Sequence, residues 1–324
     1  MTPRRTVRAL VVATASLVAM SGCLGGDGGR DEFTAAGLDS VVISGGGMTG
    51  IYFSYGGELS EVLSQRYGVR ARVLETGGSI ENLRNLADGT AQVAFSAADA
   101  AADATAGREP FSEAIPVQAV ARVYDDFVHL VVPASSDIEA IEDLRGRTVS
   151  LGAEGSGTEL IARRLLAAAG VATDEIAAVS FGIDESIDAM KGGRIEAFFW
   201  SGGLPTPGVQ ELAADLPIRL IPLRDVVEAV RSEYGSGYRH GVVPEGTYGL
   251  GGDVATMAVP NFLMVRADLT DEVTYEIVDT LFEERAAIAR QVPAAALLDR
   301  SRAIFTEPVD LHPGALRYYR DTKV

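Results

Sequence analysis

Val41-Val42-Ile43-Ser44-Gly45-Gly46-Gly47-Met48-Thr49-Gly50-Ile51-Tyr52-Phe53-Ser54-Tyr55 passes from a short apolar run through a glycine turn into residues whose helical spacing continues to Tyr67. The β-branched run reads as a strand, the glycines supply the backbone freedom of a tight turn, and the periodicity that follows reads as a helix. The alternation continues with a strand at Val69 to Leu74, a helix at Ser79 to Ala87 stopped by Gly89, and a strand at Gln92 to Phe95. A β-loop-α-β-α-β order of this kind implies a parallel sheet covered by helices.

The same order returns after residue 147. Thr148 to Leu151 reads as a strand, Gly152 to Thr158 as a Gly-rich loop, Glu159 to Ala169 as a helix and Ala177 to Phe181 as a strand. Asp184 then caps a helix from Glu185 to Lys191, and Ile195 to Trp200 is the next strand. Sliding the chain by about 104 positions brings Leu83 onto Ile187, Leu86 onto Met190, Gly89 onto Gly193 and Phe95 onto Phe199. Two similar lobes explain the match; chance coincidence of common βα patterns is the alternative. Phe127 to Pro133 leads out of the first lobe, Asn261 to Val265 leads back, and helical sequence from Asp271 to Gln291 closes on the first lobe. Two crossings make a hinge, with a cleft at the carboxyl ends of the strands, where α/β folds bind ligands. The expected division is residues 40–133 and 256–324 in lobe 1 and 134–255 in lobe 2.

The 324 residues are 47% hydrophobic and 23% charged, which excludes a disordered or fibrous chain. Their net charge of −17 excludes binding to nucleic-acid phosphates. One Cys and three scattered His leave no disulfide framework and no Cys/His metal cluster. That Cys follows a basic segment (Arg4, Arg5, Arg8), an apolar run of 12 residues from Ala9 to Met20, and Ser21-Gly22. The run is too short to span a bilayer, so residues 1–22 read as a signal peptide and Cys23 as the lipidated N-terminus, or else as an incidental Cys. Residues 23–39, rich in Gly and Asp, form the tether. The adjacent Arg4-Arg5 pair is compatible with twin-arginine export, although Pro3 and Val7 match the fuller pattern poorly.

Gly155-Ser156-Gly157-Thr158 follows a strand and opens a helix, so its N–H groups and hydroxyls either hold an anionic oxygen or only cap the helix. It lacks the Gly-Lys-Ser/Thr of a P-loop, and Glu154 stands where a nucleophile elbow needs Gly. Gly45, Gly47 and Gly50 do have dinucleotide-fingerprint spacing, with Glu75 as a candidate ribose acid, so an exported NAD(P)-dependent oxidoreductase is the alternative function. Tyr52 and Tyr55 line a pocket or enter the core. Trp200, beside Ser201-Gly202-Gly203, is either a core plug or a wall against which a ligand stacks. His129 reads as a core or hinge residue, and His312 before Pro313 fixes a turn. Asp125-Asp126 and Glu283-Glu284 read as solvated faces rather than paired catalytic carboxylates.

Taken as a series, these segments resemble the TAXI receptors, the extracytoplasmic solute receptors of one branch of TRAP transporters. The similar segments are Gly45 to Tyr55, Glu75 to Leu86, Ala91 to Ala100, Gly155 to Thr158, Ala197 to Pro205, Pro244 to Tyr248, and Leu311 to Ala315 with Tyr318-Tyr319. The resemblance implies a two-lobed type II periplasmic-binding-protein fold, no enzymatic activity and no cofactor. It implies an extracytoplasmic receptor, attached to the membrane only through its lipid, that captures a small carboxylate (an amino acid such as glutamate, or a dicarboxylate). The solute would be delivered to multi-span TRAP permease subunits. The pocket it implies is built from Thr49, Tyr52, Ser79, Asn82, Ser156, Gly157, Thr158, Trp200 and Gly202. Ser96 and Ala97 stand where the family often reads Gln before the Asp at 99.

Overall fold

The computed structural model describes Phe33, residues 38–235 and residues 237–323. The signal peptide, Cys23 and most of the tether lie outside the described residues. The fold opens with β1 (Ser40–Ser44), α1 (Ile51–Tyr67), β2 (Arg70–Leu74), α2 (Ser79–Ala87), β3 (Val93–Ala97) and α3 (Ala98–Ala106). Ile51, Tyr55, Leu59 and Leu63 recur every fourth residue of α1 and are all buried, which is why this segment is a helix and which face it turns inward. Gly68, in the left-handed region at φ 67°, ends it. All five residues of β3 are buried, as expected of a strand covered on both faces.

A second set repeats the first: β5 (Thr148–Ser150), α4 (Gly157–Ala168), β6 (Ala177–Val179), α5 (Ile183–Lys191) and β7 (Ala197–Gly202). The parallel order β2-β1-β3 in one half of the sheet is matched by β6-β5-β7 in the other. Leu83 and Ile187 occupy corresponding buried places in α2 and α5, as do Phe95 and Phe199 in β3 and β7.

Between the halves run two long antiparallel strands, β4 (Val117–Pro133) and β10 (Val254–Arg266), paired from Val117↔Arg266 to Phe127↔Ala258. The expected crossings at Phe127 to Pro133 and Asn261 to Val265 are only the ends of these strands. The early part of β10 pairs with β9 (Arg239–Val243) and its late part with β3. The late part of β4 pairs with β7 and with β8 (Ile218–Leu220), completing a ten-stranded sheet. Remaining helices α6 (Pro207–Asp215) and α7 (Arg224–Tyr234) cover the second half, and α8 (Asp271–Glu283), α9 (Arg285–Ile288), α10 (Arg300–Ala303) and α11 (Pro313–Asp321) the first.

Two local expectations are corrected. The helical stretch expected from Asp271 to Gln291 is interrupted at Glu284, and α9 ends at Ile288. Asp184 does not cap its helix: Gly182 is at the N-cap, Asp184 lies within the first turn, and its carboxylate accepts the Thr49 hydroxyl at 2.6 Å. His312 does fix the start of α11, where its Nδ1 accepts the Gly314 N–H at 3.1 Å.

The halves are also joined by a buried polar cluster. Arg164 of α4 pairs with Asp103 and lies 3.6 Å from Asp99, both on α3, while the Tyr238 hydroxyl donates to Asp99 at 2.6 Å and accepts from Arg164 at 2.8 Å. The side chains of Arg164, Asp99 and Asp103 are 11%, 2% and 4% exposed. Breaking a buried pair leaves an uncompensated charge, so Arg164→Met is expected to lower stability by about 3 to 5 kcal/mol, measured by urea unfolding. A loss below about 1 kcal/mol would show that the pair behaves as a solvated one.

Candidate functional site

The loops that follow β1, β2, β5, β6 and β7 converge, and with the middle of β4 they enclose a cavity of about 90 Å³. A water needs about 10 to 15 Å³ of such space, so the cavity has room for roughly six to nine water-sized groups. That is space on the scale of a small solute. Glu75, the candidate ribose acid, is exposed and does not border the cavity, so the structure does not support the dehydrogenase alternative.

One wall is the start of α4. Ser156 is its N-cap residue, and its Oγ accepts the Glu159 N–H at 3.0 Å. Thr158 Oγ1 accepts the Ser201 N–H at 3.3 Å, and Ser79 Oγ accepts the Ala97 N–H at 3.0 Å. Each oxygen therefore already serves a backbone donor; the Ser79 hydroxyl is turned to the Tyr52 phenol, while those of Ser156 and Thr158 keep their hydrogens to donate. The first N–H groups of α4 have no partner within the helix, and its dipole favours negative charge there. Ser79 sits so close to α4 that a Cβ on Gly157 would lie 2.7 Å from its Oγ. Among the described residues, no Lys or Arg borders the cavity.

The rest of the lining is largely aromatic. Tyr52 lies against Phe95 with ring centroids 5.4 Å apart, and its hydroxyl donates to Asn261 Oδ1. Burial, with the charges of Asp126 and Asp99, pushes the Tyr52 phenol well above its ordinary value, so it stays protonated. Tyr124 lies beside it, and Trp200 borders the same cavity. Trp200 Nε1 donates to Thr206 Oγ1 at 2.9 Å, and the Thr206 N–H donates to the Tyr248 oxygen at 2.8 Å. Behind them lies His129 in β4, fully buried, its pKa lowered to about 4 by burial and its Nε2 3.2 Å from the Tyr248 oxygen; it belongs to the core.

Of the nine expected site residues, Tyr52, Ser79, Ser156, Gly157, Thr158, Trp200 and Gly202 line the cavity. The other two do not. Thr49 is held outside by Asp184, linking the first glycine loop to α5. Asn82 is fully buried behind that loop, its amide nitrogen donating to Gly45 O and, at 2.8 Å, to Phe95 O, so it fixes the loop from the rear. Tyr55 is in the core. Glu283 is exposed and Glu284 partly so, as expected.

The Asp125-Asp126 pair is corrected. Successive strand residues face opposite ways: Asp125 pairs outward with Arg122 at 2.7 Å and Arg239 at 2.9 Å. Asp126 is 4% exposed and borders the cavity. Burial pushes its carboxyl up to about 7, opposed by the Asn261 amide and the Ser201 hydroxyl nearby. Period-two alternation required one of the two adjacent acids to point inward, and that signal was available in the sequence.

The fold, a mixed α/β sheet covered by helices, matches that of solved periplasmic binding proteins. The chain belongs to the NMT1-like family, which it matches over residues 43–322. Its fold is similar to a binding-protein component of an ABC phosphonate transporter from Pseudomonas aeruginosa, at 14% identity, a TM-score of 0.54, and coverage of 80% of this chain and 79% of that one. It is also similar to an ancestral arginine-binding protein bound to arginine, at 16% identity, a TM-score of 0.50, and coverage of 78% and 98%. A Xanthomonas citri protein bound to ATP matches at 14% identity, a TM-score of 0.50, and coverage of 87% and 95%.

Gly202 is the tightest packing constraint on the wall. A Cβ there would lie 2.3 Å from Trp200 Nε1 and 2.7 Å from Cε2. Gly202→Ala is therefore expected to displace the indole, shift the emission maximum of the single tryptophan, and cost about 1 to 3 kcal/mol in thermal unfolding. An unchanged spectrum and melting temperature would show that the indole is free to move.

Proposed function

We propose that the chain is a non-enzymatic extracytoplasmic receptor that captures a small carboxylate, an amino acid such as glutamate or a dicarboxylate, between two lobes. The lobes are residues 40–133 with 256–324, and 134–255. The observation that carries this reading is the convergence of Ser79, Ser156 and Thr158, each with its oxygen occupied by a backbone donor, on the start of α4, where the Gly157 and Thr158 N–H groups remain open. Such a set of donors fits an anionic oxygen and needs no cation. The resemblance of the segments from Gly45 to Tyr319 to TAXI receptors supports delivery to multi-span TRAP permease subunits. A fold shared with solute-binding proteins and a cavity sized for a small solute agree with it.

Hydrogen bonds to charged groups are worth roughly 1.5 to 3 kcal/mol, so Ser156→Ala and Thr158→Ala should each weaken carboxylate binding about tenfold to a hundredfold. Calorimetric titration with a panel of amino acids and dicarboxylates measures this, with Ser136→Ala as the control. Wild-type affinity in both folded loop variants would reduce the hydroxyls to helix caps and place the solute elsewhere.

The lipobox-like Met20-Ser21-Gly22-Cys23 supports anchoring through Cys23, on the outer face of the cell membrane or in the periplasm. No described helix is long and apolar enough to cross a membrane. Cys23→Ala is expected to move the folded protein out of the membrane fraction; retention there would remove the lipid anchor from this reading.

A further inference from the structure

Leu297, Ile304 and Phe305 are 62%, 42% and 62% exposed, three of the five large apolar side chains that stand open to solvent among the described residues, and they fall within nine residues of chain. Their neighbours Val292, Ala295, Leu298 and Ala303 are buried in the core of the first half, which fixes the segment in place. Residues 285–305 hold four arginines (Arg285, Arg290, Arg300 and Arg302) against one acid, Asp299, in a chain of net charge −17; acids resume at Glu284 and Glu307. Arg285 donates to Leu298 O, and Arg300 is held by Glu283 and the Tyr318 hydroxyl. Arg290 and Arg302, both exposed, form no ion pair among the described residues. We propose that this segment docks on an anionic lipid surface, with its unpaired arginines on the phosphates and Leu297, Ile304 and Phe305 entering the headgroup layer.

The first half brings this surface within reach of a membrane. Phe33, which precedes β1, is fully buried against Tyr67 at the end of α1, with ring centroids 5.0 Å apart. The segment lies toward the other end of that helix. Burial raises the Tyr55 phenol pKa and the nearby Arg285 charge opposes the rise, while a 2.7 Å hydrogen bond ties Arg285 to Leu298. Tyr55 and Tyr67 are about 18 Å apart along the helix axis. The ten residues from Cys23 to Phe33 span at most about 33 to 36 Å, so a lipid at Cys23 leaves the segment free to touch the bilayer. Only this reach depends on the Cys23 reading above; the surface itself does not.

An anionic bilayer fits both features at once. Its phosphates accept unpaired guanidinium groups, each worth roughly fivefold in binding, and its acyl boundary takes up apolar side chains. A two-fold contact between copies of the chain would instead crowd the same arginines together. The overall negative charge opposes approach, but that repulsion is screened beyond about 8 Å at physiological ionic strength, whereas the segment acts at contact. Two unpaired arginines hold too weakly to replace a lipid, so Cys23→Ala is still released. Their effect is on orientation. Ile51 and Tyr52, at the end of α1 nearer the segment, border the cavity, so docking turns the cavity end of the first half toward the membrane.

The test mixes residues 24–324, which contain every described residue and carry no lipid, with vesicles of phosphatidylcholine alone or with an equal part of phosphatidylglycerol. At low ionic strength the wild type is expected to co-sediment with the phosphatidylglycerol vesicles about tenfold more tightly, and added salt should remove most of the difference. Arg290→Gln and Arg302→Gln should each weaken binding about fivefold, and Leu297→Ser and Phe305→Ser about tenfold. Arg224→Gln and Val242→Ser, exposed changes of the same kinds in the second half, should leave it unchanged. All six positions are exposed, and melting temperatures check that each variant is folded. No preference for phosphatidylglycerol, or equal losses in the two controls, overturns the inference. So does a wild-type dimer in solution that Phe305→Ser abolishes, which would assign the surface to a second copy of the chain. Vesicle binding decides the surface and release of Cys23→Ala decides the anchor, so either can fail without the other.

Discussion

The antiparallel pairing of β4 with β10 is the constraint on which the rest of the molecule depends. Each half contributes only three parallel strands of its own, and it is these two long strands that join β3 on one side to β7 on the other. Their hydrogen-bonded register runs from Val117↔Arg266 to Phe127↔Ala258, with irregularities at Asn261/Phe262 and Leu263/Met264. Bulges twist a strand and re-aim its side chains. Asn261, at the first irregularity, receives the Tyr52 hydroxyl, and Asp126 lies on the adjoining strand. The strands that connect the halves therefore also carry side chains of the site.

Helix α4 couples the site to the packing of the halves. Its first turn forms the donor wall of the cavity, and Arg164, about two turns further on, is held by the acids of α3. Because a helix is stiff over this length, the position of the Ser156 and Thr158 hydroxyls depends on a buried ionic cluster they never touch. Tyr238, which precedes β9, closes the same cluster from the second half. The Thr49–Asp184 contact is another link between the first glycine loop and the second half.

Much of this architecture was legible because apolar spacing reports burial directly. The helices at Ile51–Tyr67 and Ser79–Ala87 lie where their periodicity placed them, and the repeated order around Leu83/Ile187 and Phe95/Phe199 is matched in the sheet. The length of β4 was hidden because Arg122, Asp125 and Asp126 interrupt its apolar pattern, although the first two pair with each other within the strand. The glycine loops pointed to the site because a strand followed by glycines and a helix places backbone donors at the strand ends. Thr49 and Asn82 show what residue type leaves open. Both look like donors for a ligand, but a threonine hydroxyl or an asparagine amide serves a neighbouring loop equally well, and only the fold shows which partner it has. Asp126 was misplaced for the opposite reason: a charged residue was expected to seek water.

A donor wall made of hydroxyls and helix N–H groups carries no formal positive charge, and this governs the rate of capture. Such a wall acts at contact, so it has no long-range field to draw in an anion, while a chain of net charge −17 opposes the approach of any net-negative solute. Capture is thus confined to the unsteered range of association rates. Added salt, which shortens the range of the surface repulsion to about 8 Å at physiological strength, raises the on-rate of an anionic solute without loosening the short hydrogen bonds that set its residence time. Affinity for such a solute should therefore hold or improve with ionic strength, the reverse of a site built around arginine.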